Sequence, residues 1–166
     1  SLLSGHPDPF IPGVDVVSGS LGHGLSVAAG MALAANLDGK DWRTFIIMGD
    51  GECNEGSIWE AVMFAGHHKL SNVIAIIDRN GLSATNFTEN IVALEPIEER
   101  FRSFGWETAS IDGHDFDQIL NTLDADNIKE SGKPLVVIAN TTKGKGVDFM
   151  ENSPNWHHQL PKGEMV

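Results

Sequence analysis

The stretch G-D-G-E-C-N-E-G at residues 49–56 decides the fold of this chain. It follows an apolar run, Thr44–Met48, that is typical of a buried parallel strand, and it precedes a helical pattern. A second block, I-I-D-R-N-G-L at residues 76–82, closes another apolar run and carries Asn80 thirty residues after Asp50. Both blocks therefore fall at the carboxyl ends of predicted neighbouring strands, where open α/β sheets bind ligands.

These two blocks carry groups that suit a bound cation and a diphosphate. Asp50 supplies a carboxylate and Asn80 a carboxamide, and such oxygen ligands suit Mg²⁺ or Ca²⁺, which take about six oxygens in total. The flanking Gly49 and Gly51 let a diphosphate approach N–H groups at the start of the next helix. Asp50 could instead only cap that helix, but its pairing with Asn80 favours a metal–diphosphate site.

Apolar runs and helical patterns alternate along the chain, with no internal repeat and no low-complexity segment. This alternation predicts βαβ units and therefore one α/β domain over residues 1–166, with a mostly parallel sheet and helices on both faces. Residues 1–19 and 79–94 are predicted to be loops. The predicted helices cover residues 20–37, 57–69, 96–104 and 115–129, and the predicted strands cover residues 43–48, 73–78, 106–111 and 134–140.

The composition excludes several classes of protein. With 23 acidic residues against 11 Lys and Arg, the chain has a formal net charge of −12, so nucleic acid is not expected as a partner. No apolar run reaches the roughly twenty residues of a membrane span, and no membrane partner is expected. The single cysteine, Cys53, allows no internal disulfide and indicates a reducing compartment, so a cytoplasmic location is expected. Its acidic neighbours raise a thiol pKa and argue against a nucleophilic role.

Two predicted helical segments lack a polar face. Residues 25–35 (L-S-V-A-A-G-M-A-L-A-A) and 58–66 (I-W-E-A-V-M-F-A-G) are apolar almost all round, whereas residues 115–129 are apolar on one face only. Helices without a polar face are either buried on both sides within one domain or packed against another subunit. Their position beside the glycine-rich blocks favours an interface with a partner.

Short motifs occur in order along nearly the whole chain. They are G-H-P at 5–7, P-G-V at 12–14, G-S-L-G-H-G-L-S at 19–26, G-D-G-E-C-N-E-G-S-I-W-E-A at 49–61, A-G-H-H-K-L at 65–70, D-R-N-G-L at 78–82, F-G-W-E at 104–107, D-G-H-D at 112–115, K-G-K-G-V at 143–147 and W-H at 156–157. This ordered set resembles the N-terminal, thiamine diphosphate-binding domain of transketolases, and its detail is closer to the split prokaryotic type than to fused enzymes. The family carries helices before the first loop, so the chain resembles a fragment or an abbreviated subunit.

The resemblance implies a cation–diphosphate site at the two strand ends. Asp50, Asn80 and the backbone carbonyl of Leu82 correspond to the protein ligands of Mg²⁺ (or Ca²⁺), with diphosphate and water completing the shell. Gly49 and Gly51 belong to the same motif, in which the N–H of Gly51 faces the diphosphate. These positions are therefore expected to bind thiamine diphosphate as well as the metal.

Other matching positions are expected around the organic part of the cofactor. By resemblance, Gly19 offers its carbonyl to the aminopyrimidine ring, Leu21 packs against the cofactor, and His23 lines the pocket. Glu55 matches an interface carboxylate near the pocket and is a catalytic candidate. Glu52 falls at a variable position and is kept as a cofactor-binding candidate, although either acid could only compensate the helix dipole.

Two histidines match positions that contact the substrate in the family. His6, in G-H-P, corresponds to a histidine that touches the substrate hydroxyl near the reacting carbon. His157, in N-W-H-H, corresponds to a histidine at the diphosphate and substrate end of the pocket. Histidine suits both tasks because it titrates near neutrality, although each residue could instead be an ordinary surface histidine. Lys143 and Lys145 lie in a segment that resembles a flexible loop over the active site.

The activity that the resemblance implies is transfer of a two-carbon ketol unit from a ketose phosphate to an aldose phosphate. The glutamate that activates thiamine diphosphate in this family belongs to a separate pyrimidine-binding domain, and no segment of this chain resembles that domain. We therefore expect a pyrimidine-domain partner subunit, in a heterotetramer with two copies of each subunit.

Two other functions stay open at this point. A split thiamine diphosphate carboligase or acyloin-type synthase of specialised metabolism would reuse the same scaffold, and S-A-T-N-F at 83–87 and His158 depart from the transketolase pattern. A non-catalytic remnant that binds only a partner or the cofactor is the other alternative. A remnant has little use for a complete metal constellation, so this alternative is disfavoured by the retained Asp50, Asn80, Glu55, His6 and His157.

Overall fold

Four short apolar runs form the strands of a parallel sheet. In the computed structural model, which describes residues 10–124 and 131–161, they are β1 (Thr44–Gly49), β2 (Val73–Arg79), β3 (Glu107–Asp112) and β4 (Leu135–Asn140). Their order across the sheet is β1-β2-β4-β3, and every pairing is parallel. The strand that comes last in the sequence thus lies between β2 and β3, so the segments that follow β1, β2 and β4 leave the same edge side by side.

The helices cover both faces of this sheet, as predicted. They are α1 (Gly24–Leu37), α2 (Gly56–His67), α3 (Thr88–Ile91), α4 (Ile97–Ser103) and α5 (Phe116–Leu123), with 3₁₀ turns at Gly51–Asn54 and Pro154–Trp156. The larger core lies on one face, where buried residues of α1, α2 and α4 belong to one cluster that includes Phe101 and Trp106. A smaller core lies on the other face, where Ile119 and Leu123 of α5 pack on Val137. The predicted α/β sheet with helices on both faces is confirmed.

The predicted elements agree with the structure to within two residues, apart from three places. Helix α1 begins at Gly24 rather than at residue 20, because Gly22 has a φ of +85°, which a helix does not accept. The predicted loop at 79–94 contains the one-turn helix α3. Of the predicted helix at 115–129, α5 accounts for the first part, and the prediction for residues 125–129 falls outside the described residues.

Helices α1 and α2 each combine a buried face with an exposed apolar face. On α1, Leu25 and Ala32 are fully buried, while Val27 and Met31 are each 40% exposed. On α2, Met63 is 55% exposed. The prediction of a subunit interface depends on these exposed apolar faces. That a partner subunit covers them stays a prediction. Within the described ranges, no helix has the length and apolar character needed to cross a bilayer.

Candidate functional site

The two predicted metal ligands follow neighbouring strands at one edge of the sheet. Gly49 at the end of β1 pairs in register with Asp78 of β2, and the N–H of Asp50 donates to the carbonyl of Asp78 across 3.2 Å. The Asp50 side chain then reaches the turn after β2, where its Oδ2 accepts from the N–H of Gly81 at 2.7 Å. Asp50 is only 1% exposed, so its carboxylate is a buried charge held between the two predicted blocks.

The charge of Asp50 is balanced by Arg79, a residue that no sequence motif singled out. One guanidinium nitrogen of Arg79 donates to Oδ2 of Asp50 at 2.7 Å and to the hydroxyl of Thr88 at 2.8 Å. The same side chain forms ion pairs with Glu89 at 2.7 Å and with Glu95 at 2.9 Å. Burial alone would lower the pKa of Arg79, but its hydrogen bonds to Asp50 and Glu95 raise that pKa above its usual range.

The Asn80 side chain is fixed by bonds on both sides of its amide. Its Oδ1 accepts from the N–H of Leu82 at 3.0 Å, and its Nδ2 donates to Oδ2 of Asp78 at 3.1 Å. Asp78 is itself bound by the hydroxyl of Thr141, which follows β4. The ends of β2 and β4 therefore contribute to one polar network, which Asn80 joins to the turn at Leu82.

The donor set at this edge fits a hard divalent cation. Asp50, Asn80 and the carbonyl of Leu82 would all present oxygen, which is the ligand type that Mg²⁺ and Ca²⁺ take. Asp50 also forms the N-cap of the 3₁₀ turn, since its Oδ1 accepts from the N–H of Gly51 at 2.7 Å. Asp50 therefore does cap this turn, and its carboxylate keeps acceptor capacity for a cation. The assignment of these three residues to a metal stays a prediction.

Glu52 joins the two glycine-rich loops. Its Oε1 accepts from the N–H of Gly22 at 2.9 Å, and its Oε2 accepts from the N–H of Gly49 at 3.3 Å. The hydroxyl of Ser57 donates to the carbonyl of Gly22 at 2.9 Å. A Cβ on Gly22 would lie 2.5 Å from that hydroxyl oxygen, so only glycine fits this junction. The structure thus shows Glu52 holding the backbone of both loops, and its contact with the cofactor stays a prediction.

The other cofactor-loop candidates lie at the surface next to this junction. Gly19 and His23 are exposed, and Leu21 is exposed over 58% of its side chain. Glu55 is an exposed residue at the N-cap of α2, without a capping hydrogen bond from its side chain. All four are therefore accessible to a cofactor or a partner on the side of the sheet where the strands end. Their individual roles stay predictions.

His157 lies against Lys143 in the segment after β4. The Nζ of Lys143 is 2.8 Å from Nδ1 of His157, and the ring of His158 stacks edge-on at 4.4 Å between centroids. Burial, the Lys143 cation and His158 together hold the pKa of His157 below its usual range. These surroundings therefore favour the neutral form of the His157 imidazole. His6, the other histidine candidate, lies outside the described residues.

Cys53 is a buried thiol without a nucleophile's environment. It is 0% exposed, and burial, with Glu52 and Asp50 adding to it, raises its pKa to about 12. The prediction that Cys53 is not a nucleophile agrees with this environment.

Comparisons with known proteins agree with the motif analysis. The family model described as “Transketolase, thiamine diphosphate binding domain” matches residues 1–164. The chain is similar to two proteins named as subunits of apulose-4-phosphate transketolase, one from Phocaeicola vulgatus at 46% identity over 164 residues and one from Actinobacillus succinogenes at 45% over 167 residues. These alignments cover 99% and 100% of this chain but 58% and 60% of those proteins. The chain thus spans less than two thirds of the length of these relatives.

A further relative and two solved structures extend the comparison. A 6-deoxy-6-sulfo-D-fructose transketolase subunit from a Clostridium species is 43% identical over 153 residues, which are 92% of this chain and 55% of that protein. Transketolase from Campylobacter jejuni superposes with a TM-score of 0.80 at 37% identity, over 91% of this chain and 24% of the enzyme. Transketolase from Leishmania mexicana superposes with a TM-score of 0.68 at 30% identity, over 79% of this chain and 21% of the enzyme.

Proposed function

The chain belongs to the transketolase family, as its thiamine diphosphate-binding domain, and from this membership we propose that it is the diphosphate-binding subunit of a transferase. Residues 1–166 act as one domain that binds thiamine diphosphate through Mg²⁺. The enzyme moves a two-carbon ketol unit from a ketose phosphate to an aldose phosphate. The observation that carries this proposal is the buried meeting of Asp50 with the turn that contains Asn80, at the ends of two paired strands.

The residues of this chain bind and orient the cofactor in the proposed enzyme. Thiamine diphosphate, when bound, would supply a carbon nucleophile for chemistry at a ketose carbonyl. Asp50, Asn80 and the carbonyl of Leu82 hold the cation that neutralises the diphosphate. The junction formed by Glu52 and Gly22 keeps the loop with Gly19 and Leu21 beside that anchor, where the loop can contact the organic part of the cofactor.

Two histidines would handle the oxygens of the substrate. The lowered pKa of His157 favours its neutral form, which can donate or accept a hydrogen bond at a sugar hydroxyl. His6 is proposed to donate to the substrate oxygen at which charge develops, where such bonds strengthen in the transition state. Glu55, exposed at the start of α2, is proposed to act across the subunit interface.

A second protein is needed to complete the site. Relatives that are named as one subunit of a transketolase support the proposal that this chain assembles with a pyrimidine-domain partner, two copies of each forming a heterotetramer. The exposed apolar faces of α1 and α2 supply a surface for that assembly. A single free, buried cysteine suits a reducing compartment, and we assign the enzyme to the cytoplasm.

The names of the relatives bear on the choice of substrate. Two of them refer to apulose 4-phosphate, and one refers to 6-deoxy-6-sulfo-D-fructose. Both compounds are sugars that carry an anionic group away from the carbonyl. We therefore propose that the donor is a ketose with a terminal phosphate or sulfonate. The enzyme is proposed to act in carbohydrate metabolism.

The proposed activity is tested with the chain assembled with a pyrimidine-domain partner, Mg²⁺ and thiamine diphosphate. A panel of anionic ketose donors, including xylulose 5-phosphate, is offered with ribose 5-phosphate as the acceptor, and two-carbon transfer is measured by product mass. Transfer from at least one donor is expected. Turnover of an α-keto acid alone would favour the carboligase alternative, and cofactor binding without any turnover would favour the remnant.

The roles of His6 and His23 are separated by a matched pair of variants. We expect His6→Ala to lower turnover of the assembled enzyme on the order of tenfold to a thousandfold, as the loss of a single oxyanion donor does. His23→Ala should cost much less, because His23 only lines the pocket. Cofactor affinity, measured by calorimetry, should change little in either variant. Full turnover of His6→Ala would contradict the assigned substrate contact.

A further inference from the structure

We propose that Arg79 is a positioning residue that presents Asp50 to the divalent cation through one oxygen only, Oδ1. This inference rests on the proposed function, because it concerns the metal that anchors thiamine diphosphate. It adds to that function a residue outside the ligand set and a coordination mode for the carboxylate.

The two oxygens of Asp50 differ in how many hydrogen bonds they accept. Oδ2 accepts from Arg79 at 2.7 Å, from the N–H of Gly81 at 2.7 Å and from the hydroxyl of Thr88 at 3.3 Å. Oδ1 accepts from the N–H of Gly51 at 2.7 Å. A carboxylate oxygen offers about two lone-pair sites, so Oδ2 is saturated and Oδ1 keeps one site. A cation that binds Asp50 in this arrangement therefore does so through Oδ1.

Arg79 is itself anchored at every nitrogen of its guanidinium group. Its Nε and one terminal nitrogen donate to Oε1 of Glu95 at 3.2 and 2.9 Å, and that terminal nitrogen also donates to Glu89 at 2.7 Å. The other terminal nitrogen holds Asp50 and Thr88. With its side chain 11% exposed, the planar fork is fixed in one orientation, and it fixes the carboxylate plane of Asp50 in turn.

Backbone N–H groups hold Glu89 and Glu95, the two carboxylates that bind Arg79. Glu95 accepts from the N–H of Ile97 at 3.0 Å, at the start of α4. Glu89 accepts from the N–H of Leu94, with its two oxygens at 3.3 and 3.2 Å. The orientation of Asp50 is therefore set by a chain of hydrogen bonds that begins at the backbone of Leu94 and Ile97.

If Arg79 orients Asp50, its removal should weaken cation binding, whereas electrostatic attraction alone predicts tighter binding. The cluster of Asp50, Glu89 and Glu95 with Arg79 contains three carboxylates and one guanidinium, so it is net negative. Removal of the guanidinium makes the cluster more negative, which by Coulomb attraction alone would tighten cation binding. Loss of the orienting bond frees the carboxylate to rotate and to engage other donors, which weakens cation binding. The sign of the change in affinity therefore separates the two.

The experiment measures Mn²⁺ affinity in the chain assembled with its pyrimidine-domain partner, at saturating thiamine diphosphate. Free Mn²⁺ is followed by electron paramagnetic resonance. We expect Arg79→Gln to weaken Mn²⁺ binding on the order of 10- to 100-fold, the usual effect of losing the partner of a metal ligand. Arg79→Lys should also weaken it, because an ammonium group cannot replace the fork. Arg102→Gln, which removes an exposed arginine paired with Glu98 on α4, is the matched control and should bind like the unsubstituted protein.

Two further measurements keep the inference falsifiable. Arg79→Lys decides the question where Arg79→Gln does not fold: it keeps the positive charge, so electrostatics alone predicts unchanged Mn²⁺ binding, whereas loss of the orienting fork predicts weaker binding. Thermal melting without metal reports the purely structural cost of each variant. Unchanged or tighter Mn²⁺ binding in folded Arg79→Gln, or in Arg79→Lys where Arg79→Gln does not fold, overturns the inference.

The same titration separates failure of the inference from failure of the proposed function. If the unsubstituted assembly has no Mn²⁺ site that requires thiamine diphosphate, the proposed function fails and the inference fails with it. If that site exists and Asp50→Ala removes it, while Arg79→Gln binds like the unsubstituted protein, only the positioning role is wrong.

Discussion

The N–H of Gly22 donates a hydrogen bond to Oε1 of Glu52 across 2.9 Å, thirty residues away in the chain. This bond joins the loop before α1 to the turn after β1, and the second oxygen of Glu52 holds Gly49 at 3.3 Å. Two glycine-rich loops that are expected to face the same cofactor are thus fixed relative to one another by one side chain. The relationship gives Glu52 a role that does not require contact with the cofactor.

Replacement of Glu52 tests this junction. Glu52→Ala removes an ionised acceptor from two N–H groups, and bonds to charged groups contribute about 1.5–3 kcal/mol each, so the free energy of unfolding should fall by at least about 1.5 kcal/mol. Cofactor affinity should fall as well, because the loop with Leu21 loses its support. Glu52→Gln, which keeps an acceptor oxygen and the size of the side chain, should lose less of both. Urea unfolding and calorimetry measure these changes.

Glu99→Ala, on the exposed side of α4, is the control for the loss of one acidic charge and should change neither quantity appreciably. Equal losses in Glu52→Ala and Glu99→Ala would contradict a specific role for the junction.

The meeting of Asp50 with the turn after β2 could be predicted because it follows from topology. Two blocks at the carboxyl ends of neighbouring parallel strands must lie side by side, whatever the details of the loops. The role of Arg79 could not be predicted in the same way. Its partners Glu89 and Glu95 fall in a segment without helical or strand periodicity, which indicates only a loop. Their convergence on Arg79 depends on the fold of that loop.

The insertion of β4 between β2 and β3 could not be derived either. Apolar periodicity identifies a strand but carries no information about which strands pair with it. This order is what brings Thr141, after β4, to Asp78 at the end of β2. The hydrogen bond between Gly22 and Glu52 could not be predicted either. It joins backbone to a side chain thirty residues away, and it depends on how the two loops fold.

Substitution of two helical glycines by alanine should change the free energy of unfolding in opposite directions. A Cβ on Gly30 of α1 would meet no atom within 4 Å, so Gly30→Ala should stabilise the chain by about 0.5–1 kcal/mol through helix propensity. A Cβ on Gly66 of α2 would lie 1.9 Å from the carbonyl oxygen of Phe104. Gly66→Ala should therefore destabilise the chain by about 1–3 kcal/mol through overpacking. Urea unfolding of both variants checks the pair, and the same sign for both would show that the packing of α2 near Phe104 is different.

The outer face of α1 is the place to test the proposed assembly. Met31 is 40% exposed in the middle of that face, and Met31→Glu places a charge where an apolar partner surface is expected. Affinity for the pyrimidine-domain partner should fall on the order of tenfold or more, as measured by analytical ultracentrifugation. Leu37, 79% exposed at the end of α1, gives the matched control Leu37→Glu, which should assemble normally. Normal assembly of Met31→Glu would exclude this face from the interface.

The contact of Lys143 with His157 predicts how the histidine titrates. Burial, then the Lys143 cation, then His158 lower the pKa of His157, because each disfavours the imidazolium form. Lys143→Gln removes the second of these causes and should raise the pKa of His157 towards its ordinary value. Lys145→Gln is the control, since Lys145 lies 4.0 Å from a Glu151 oxygen in an ion pair of its own. Its effect on the pKa of His157 should be much smaller.

The direction of the pKa shift of His157 predicts how turnover depends on pH. Where catalysis needs a neutral His157, turnover persists as the pH falls until the lowered pKa is reached, and Lys143→Gln should begin to lose turnover at a higher pH. Titration of the His157 ring carbon signals by NMR measures the pKa directly, and a pH profile of the assembled enzyme measures the consequence. An unchanged pKa in Lys143→Gln would mean that the 2.8 Å contact does not persist in solution. A raised pKa with an unchanged pH profile would mean that the protonation state of His157 does not limit turnover.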